Sequence, residues 1–199
     1  MEHYLPDEAH EADAKAVLRF WFGEPPEYGV RLKRWFEKDP ALDVRVRELF
    51  LPLVERFAGG GSENWLQRQA ECLAYIIVLD QFPRHIFRGA ARSFAADPLA
   101  LRAARHAVTQ GFDRTLLPVE RLFVYLPFQH SEALADQLKG CELTAPLVNF
   151  IETGDVHRYA LAHRDIVQRF GRFPHRNAAL GRASTPEELS FLKGPGSSF

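Results

Sequence analysis

The chain is short of the residues that most often announce a function. It has only two cysteines, and Cys72 and Cys141 lie too far apart for any zinc or redox spacing. Two free thiols in a reducing cytosol is the reading that follows. The longest apolar run, CLAYIIVL at 72–79, is too short to cross a bilayer, so no membrane association is expected. The opening MEHYLPDEAHEADAK has neither a basic n-region nor an apolar h-region, which predicts a cytoplasmic protein. A net charge of −1 provides no global basic field, and nucleic acid is not an expected partner. P-loop, G-x-G-x-x-G, G-x-S-x-G and H-E-x-x-H patterns are all missing, and the eight histidines form no dense cluster. No cofactor and no metal are expected.

Lysine is also scarce, at five against twenty arginines. A GC-rich genome accounts for that bias, although arginine does suit planar, bidentate contacts. What is present in quantity is apolar: 46% of 199 residues, enough for one well-buried core. A single domain over 1–199 is expected, with loose ends at 1–10 and 195–199.

The punctuation of the chain is helical. Asp39-Pro40, Asp97-Pro98 and Thr185-Pro186 each set a capping side chain before a proline suited to the first helical position. Thr185-Pro186-Glu187-Glu188 is also a capping box. Ser62 and Asp155 are further candidate caps, and Gly59-Gly60-Gly61, Gly111 and Gly194-Pro195 read as stops. Between these marks the apolar period is near 3.6. Helices are predicted near 11–22, 31–37, 40–57, 63–81, 98–110, 118–126, 131–139, 144–152, 155–169 and 186–192, with Pro52 kinking or splitting the third. CLAYIIVL would also suit a buried strand, but no second strand-like run exists to pair with it. It is read as a central helix buried nearly all round. Phe20, Trp21, Phe22, Trp35, Phe36 and Trp65 are expected in the core. The fold class is therefore all-α, a single domain of stacked antiparallel helix pairs.

Four motifs occur in a fixed order: LRFWFG at 18–23, LDQFPRHIFR at 79–88, LPFQHSE at 126–132 and RFGRFPHRNAALGRASTPEELSFL at 169–192. Together they resemble a bacterial family catalogued as domain of unknown function 924. The resemblance spans nearly the whole chain. It implies a tetratricopeptide-like superhelix and no activity, so no site residue carries over from it.

The candidate site rests on chemistry. Asp80 closes a buried helix and needs a partner, and Arg84, which follows one turn later, is the nearest. Arg88 and His85 lie close by. A structural ion pair fixing the helix exit is the competing reading. In LPFQHSE, His130 follows the expected helix end, Ser131 caps the next helix and Glu132 lies in its first turn. The His130–Glu132 spacing is not that of paired metal ligands. In the last motif, Arg169 suits the C-terminus of its helix, where the dipole favours cations. Arg172, His175, Arg176, Asn177 and Arg182 are harder to explain by capping alone, since adjacent cations repel unless anions intervene. Asp80, Glu132, Asp165 or a ligand are the candidate anions.

Two Phe-Pro pairs, Phe82-Pro83 and Phe173-Pro174, sit among these basic groups. The two stretches are expected to meet, with Arg84, Arg88, Arg172, His175 and Arg176 converging on an anion-binding pocket. The ligand-contacting set is Asp80, Arg84, Arg88, Glu132, Arg172, His175, Arg176, Asn177 and Arg182. If turnover occurs, His130 or His175 carries the proton and the arginines clamp charge. The alternative is a peptide- or protein-interaction module using the concave face of a helical stack, with the Arg/His cluster purely structural.

Overall fold

A computed structural model describes residues 8–197. The expected loose residues 1–7 and 198–199 lie outside that range. Residues 8–10 are already helical, and Ser197 is buried with its hydroxyl donating to the Leu192 carbonyl. The described residues hold nine α-helices and six short 3-10 segments, joined by turns, and no strand. The α-helices are α1 (Glu8–Phe22), α2 (Pro40–Ala58), α3 (Gln69–Asp80), α4 (Phe82–Ile86), α5 (Asp97–Gln110), α6 (Pro118–His130), α7 (Leu134–Thr144), α8 (Val156–Phe170) and α9 (Pro186–Phe191). None is long and apolar enough to cross a membrane.

The core is built round α3. Every residue from Glu71 to Asp80 is buried, and α1, α2, α4, α5 and α6 all pack against this helix. CLAYIIVL is thus a helix with no solvent face. From α5 onward the order is sequential, each helix packing on the next through α8. Gly140 lets α7 approach α6 closely, because a Cβ there would stand 3.3 Å from the Phe128 Cβ. Both cysteines are buried, and burial pushes the Cys72 thiol up to about 12, which keeps it inert.

Local signals set some helix ends, although Asp155 makes no side-chain cap bond. Asp39 Oδ1 accepts from the Ala41 and Leu42 amides, and Thr185 with Glu188 forms the reciprocal box. Helix α2 runs on through Pro52 to Ala58. Several expectations need correction. The helix expected at 63–81 is broken: Arg68 is extended between a 3-10 turn (Glu63–Gln67) and α3. That turn drives Trp65 into the core, 4.7 Å from the Phe57 ring centroid, and Ser62 makes no cap bond. Helix α6 does not stop at 126. It continues through Pro127 to His130, because burying Phe128 and Gln129 outweighs the one amide bond the proline forfeits. The 31–37 and 144–152 segments are 3-10 turns at Lys33–Trp35 and Ala145–Asn149. Phe36 is exposed rather than buried, with the Arg31 guanidinium 4.8 Å from its ring centroid.

Candidate functional site

Helix α3 delivers its last residue, Asp80, into the interior at 1% exposure. Oδ1 accepts from His130 Nδ1 at 2.7 Å, Oδ2 accepts from the Gln81 amide, and Arg84 Nη1 stands 3.6 Å from Oδ1. Burial would raise this carboxyl, but His130 and Arg84 outweigh it and hold it at about 2. Asp80 is therefore ionised, and the proton between it and His130 sits on Nδ1. Burial, then the Arg84 charge, pushes His130 below its ordinary value, against the pull of Asp80. The imidazole is neutral at pH 7, with its lone pair on Nε2.

Helix α4 follows at once. Phe82 enters the core beside Trp21 and Phe50, and Pro83 occupies the first turn. That turn aims Arg84 at Asp97, the first residue of α5, through two bonds of 2.8 and 3.0 Å. Asp97 does not cap α5, as its Asp-Pro setting predicts. Ala96 is the cap residue, without a side-chain bond. Asp97 faces the arginines instead, and its Oδ2 also accepts from Arg176 Nη1 at 3.1 Å. One carboxylate thus joins the two Phe-Pro stretches.

The second stretch begins where Gly171, at φ +67°, ends α8. Phe173 is wholly buried and Pro174 opens a 3-10 turn over Pro174–Arg176. The Arg176 guanidinium lies between two rings, 4.6 Å from the Phe94 centroid and 4.7 Å from that of Phe173. It is 6% exposed, and its buried Nε finds no hydrogen-bond partner among the described residues. Burial, then the nearby Arg84 charge, lowers Arg176 to about 10.

These groups border a cleft of about 690 Å³. Of the residues singled out in the sequence, Arg84, Arg88, His130, His175 and Arg176 line it. Arg88 sits near the rim, bidentate to Asp43 at 2.6 and 2.7 Å, and His85 shares the same carboxylate at 2.7 Å. Asp80 lies behind His130 and is not part of the lining.

Four others stand outside the cleft and brace the 170–182 segment. Arg172 turns to Glu188 at 2.6 and 2.8 Å, joining the α9 capping box. Glu132 precedes α7 rather than lying in its first turn. It accepts from the Phe173 amide at 2.7 Å and from Arg182 at 2.6 and 2.9 Å. Arg182 Nε donates to Asn177 Oδ1, and Asn177 donates to Ser184. These contacts absorb the cations that capping alone left unexplained. Asp165 pairs with its neighbour Arg164 at the surface.

Sequence reasoning missed Asp97, Gln129 and His163. Gln129 is 1% exposed, lines the cleft, and its amide nitrogen has no hydrogen-bond partner among the described residues. Its position beside His130 in LPFQHSE was the available signal. His163 packs edge-on to Phe173 and 6.3 Å from the His130 ring. Burial lowers His163 to about 3. Burial, with the Arg176 and His130 charges, lowers His175 to about 4. No group of three or more His, Cys, Asp or Glu among the described residues could hold a metal ion.

A bacterial family of unknown function, DUF924, matches residues 17–196. The chain belongs to this family. A solved structure similar to this chain is that of ATU0120 from Agrobacterium tumefaciens, a protein of unknown function. It is 40% identical, with a TM-score of 0.82 over 92% of this chain and 99% of that one. No curated protein matches. The family supplies the fold and leaves the chemistry of the cleft to be argued from its own side chains.

Proposed function

We propose that this DUF924 protein binds a small anionic ligand, a carboxylate or a phosphate, in the cleft between the two Phe-Pro stretches. The observation that carries this reading is Arg176. A guanidinium removed from water between two rings, given one bond to a shared carboxylate, keeps donors unspent. An oxyanion satisfies them. The acids that balance the arginines, Asp43, Asp80 and Asp97, are not part of the lining, where Glu37 is the one carboxylate among the described residues beside Arg31, Lys38, Arg84, Arg88 and Arg176. Its volume suits a metabolite. A cytoplasmic location agrees with such a ligand.

A thermal-shift screen of phosphates and carboxylates tests the proposal. A ligand at a hundred times its Kd adds about 2.7 kcal/mol, which is several degrees in Tm for a chain of this size. The shift should vanish in Arg176→Gln. No shift with any anion, or an equal shift in the variant, overturns the reading.

A second reading has one observation behind it. Phe36 and Tyr159 line the cleft yet are 51% and 39% exposed. An apolar mouth of this kind suits a peptide or the apolar tail of a larger anion, as in tetratricopeptide-like binding modules.

A further inference from the structure

His130 is a cleft residue whose hydrogen bonding is half used. Nδ1 is committed to Asp80 at 2.7 Å, and Asp80 is fixed in turn by Gln81 and Arg84. Nε2 makes no hydrogen bond to another described residue, and the ring belongs to the cleft lining. A second carboxylate that could serve it, Glu132, already accepts from the Phe173 amide and Arg182.

Each element packed around the ring turns a charged or titratable group towards it. Asp80 comes from α3, Arg84 from α4, Asp97 from α5 and His163 from α8, while His175 comes from the 3-10 turn, whose Arg176 lines the same cleft. Asp80 and Asp97 pull towards a charged ring, but burial and then the Arg84 charge outweigh them. That is why the imidazole is neutral in the free protein. An anion beside Arg176 reverses the balance, because a nearby negative charge favours the protonated ring.

Resting on the anion-binding reading above, we infer that the cleft takes up its oxyanion together with a proton, which settles on His130 Nε2. The lone pair of Nε2 accepts H⁺ from solvent, and no bond within the ligand is made or broken. The resulting imidazolium donates through Nδ1–H to Asp80 and through Nε2–H to the anion. Arg176 and the Gln129 amide supply further donors. The ligand class is thereby narrowed to fully ionised oxyanions, which accept hydrogen bonds and bring no proton of their own. The same pairing, a clamped anion beside an oriented imidazole, is what general acid–base chemistry on such a ligand requires.

Sulfate is a suitable probe, since it stays a dianion at neutral and mildly acid pH, and any proton taken up belongs to the protein. The full chain is titrated with sulfate by calorimetry at about pH 6 in two buffers of different ionisation heat. The expected result is uptake of roughly one proton per sulfate, with affinity weakening up to about tenfold per pH unit as pH rises. His130→Gln should bind sulfate more weakly and without proton uptake, whereas His175→Gln should retain the uptake. Sulfate binding without proton uptake in the wild type overturns the inference and leaves anion binding intact. Uptake that persists in His130→Gln overturns it equally. Failure to bind sulfate, phosphate or carboxylates at all removes the anion-binding reading itself. Should His130→Gln not fold, imidazole nitrogen NMR of the wild type decides. The His130 ring must start as the Nδ1–H tautomer and gain a proton on Nε2 when sulfate is added at constant pH.

Discussion

The two Phe-Pro stretches are built alike and finished differently. Each sets a fully buried phenylalanine before a proline, and the proline starts a short turn carrying His and Arg. In the first stretch the cations are consumed. Arg84 is bidentate to Asp97, Arg88 is bidentate to Asp43, and His85 shares Asp43. In the second, Arg172 is consumed by Glu188, but Arg176 has one bond and two ring faces. Similar sequence therefore yields one saturated wall and one wall with donors to spare. What separates them is the supply of carboxylates, which the local sequence does not reveal.

The phenylalanines give the largest way to break this comparison. Phe82 packs among Phe20, Trp21 and Phe50 in the main core, whereas Phe173 belongs to a small cluster with Ile166 and Val167. Phe82→Ala should cost about 4 kcal/mol and Phe173→Ala about 3 kcal/mol, read from urea denaturation midpoints at equal slope. The anion response should divide them more sharply. Phe82→Ala leaves the Arg176 sandwich in place and keeps it. Phe173→Ala removes one ring face and weakens it. Equal loss of anion binding in both would mean that the walls are not distinct in function.

Asp97 comes next, since it is the carboxylate both walls share. Asp97→Ala leaves Arg84 with Asp80 alone and strips Arg176 of its acid, at about 3 kcal/mol of stability. The same change should increase the stabilisation that sulfate confers, because the buried guanidinium then gains its counter-charge from the ligand. A variant that is destabilised but shows an unchanged sulfate response would separate Asp97 from the ligand site.

Much of the fold was legible because it rests on local signals. The 3.6 period, the Asp39 cap and the Thr185–Glu188 box are contained within a few residues, and the structure uses them as written. The breaks at Arg68 and beyond Leu126 were not legible, because distant packing of Trp65, Phe128 and Gln129 decides them. The site divides the same way. Arg84, Arg88, His130, His175 and Arg176 stood out by type and spacing. Asp97 did not, because Asp before Pro is an ordinary cap, and its real role depends on α5 starting between two walls, one of which holds Arg176, seventy-nine residues further along the chain. Glu132 and Arg182 were noticed for the right unusual chemistry, but their geometry is spent on holding the Phe173 backbone.

Acid sensitivity should distinguish the walls with the smallest effect. His163 and His175 titrate at about 3 and about 4 in the folded chain, against an ordinary 6.5. Between those values the unfolded chain binds more protons, so stability rises with pH. Their contribution is complete above pH 6.5 and is lost as pH falls towards 4. Asp80 and Glu188, held at about 2, keep their contribution down to their ordinary values of 3.8 and 4.5 and lose it as pH falls from there towards 2. Urea denaturation at about pH 7.5 and about pH 5.8 should therefore differ by on the order of 2 kcal/mol from these two groups. Replacing both His163 and His175 with Gln should reduce the difference, because neutral amides have no proton to bind in either state, and leave the share of His130 and His85, which are also pushed below their ordinary values. A difference that the double replacement does not reduce would move the acid sensitivity to those two imidazoles.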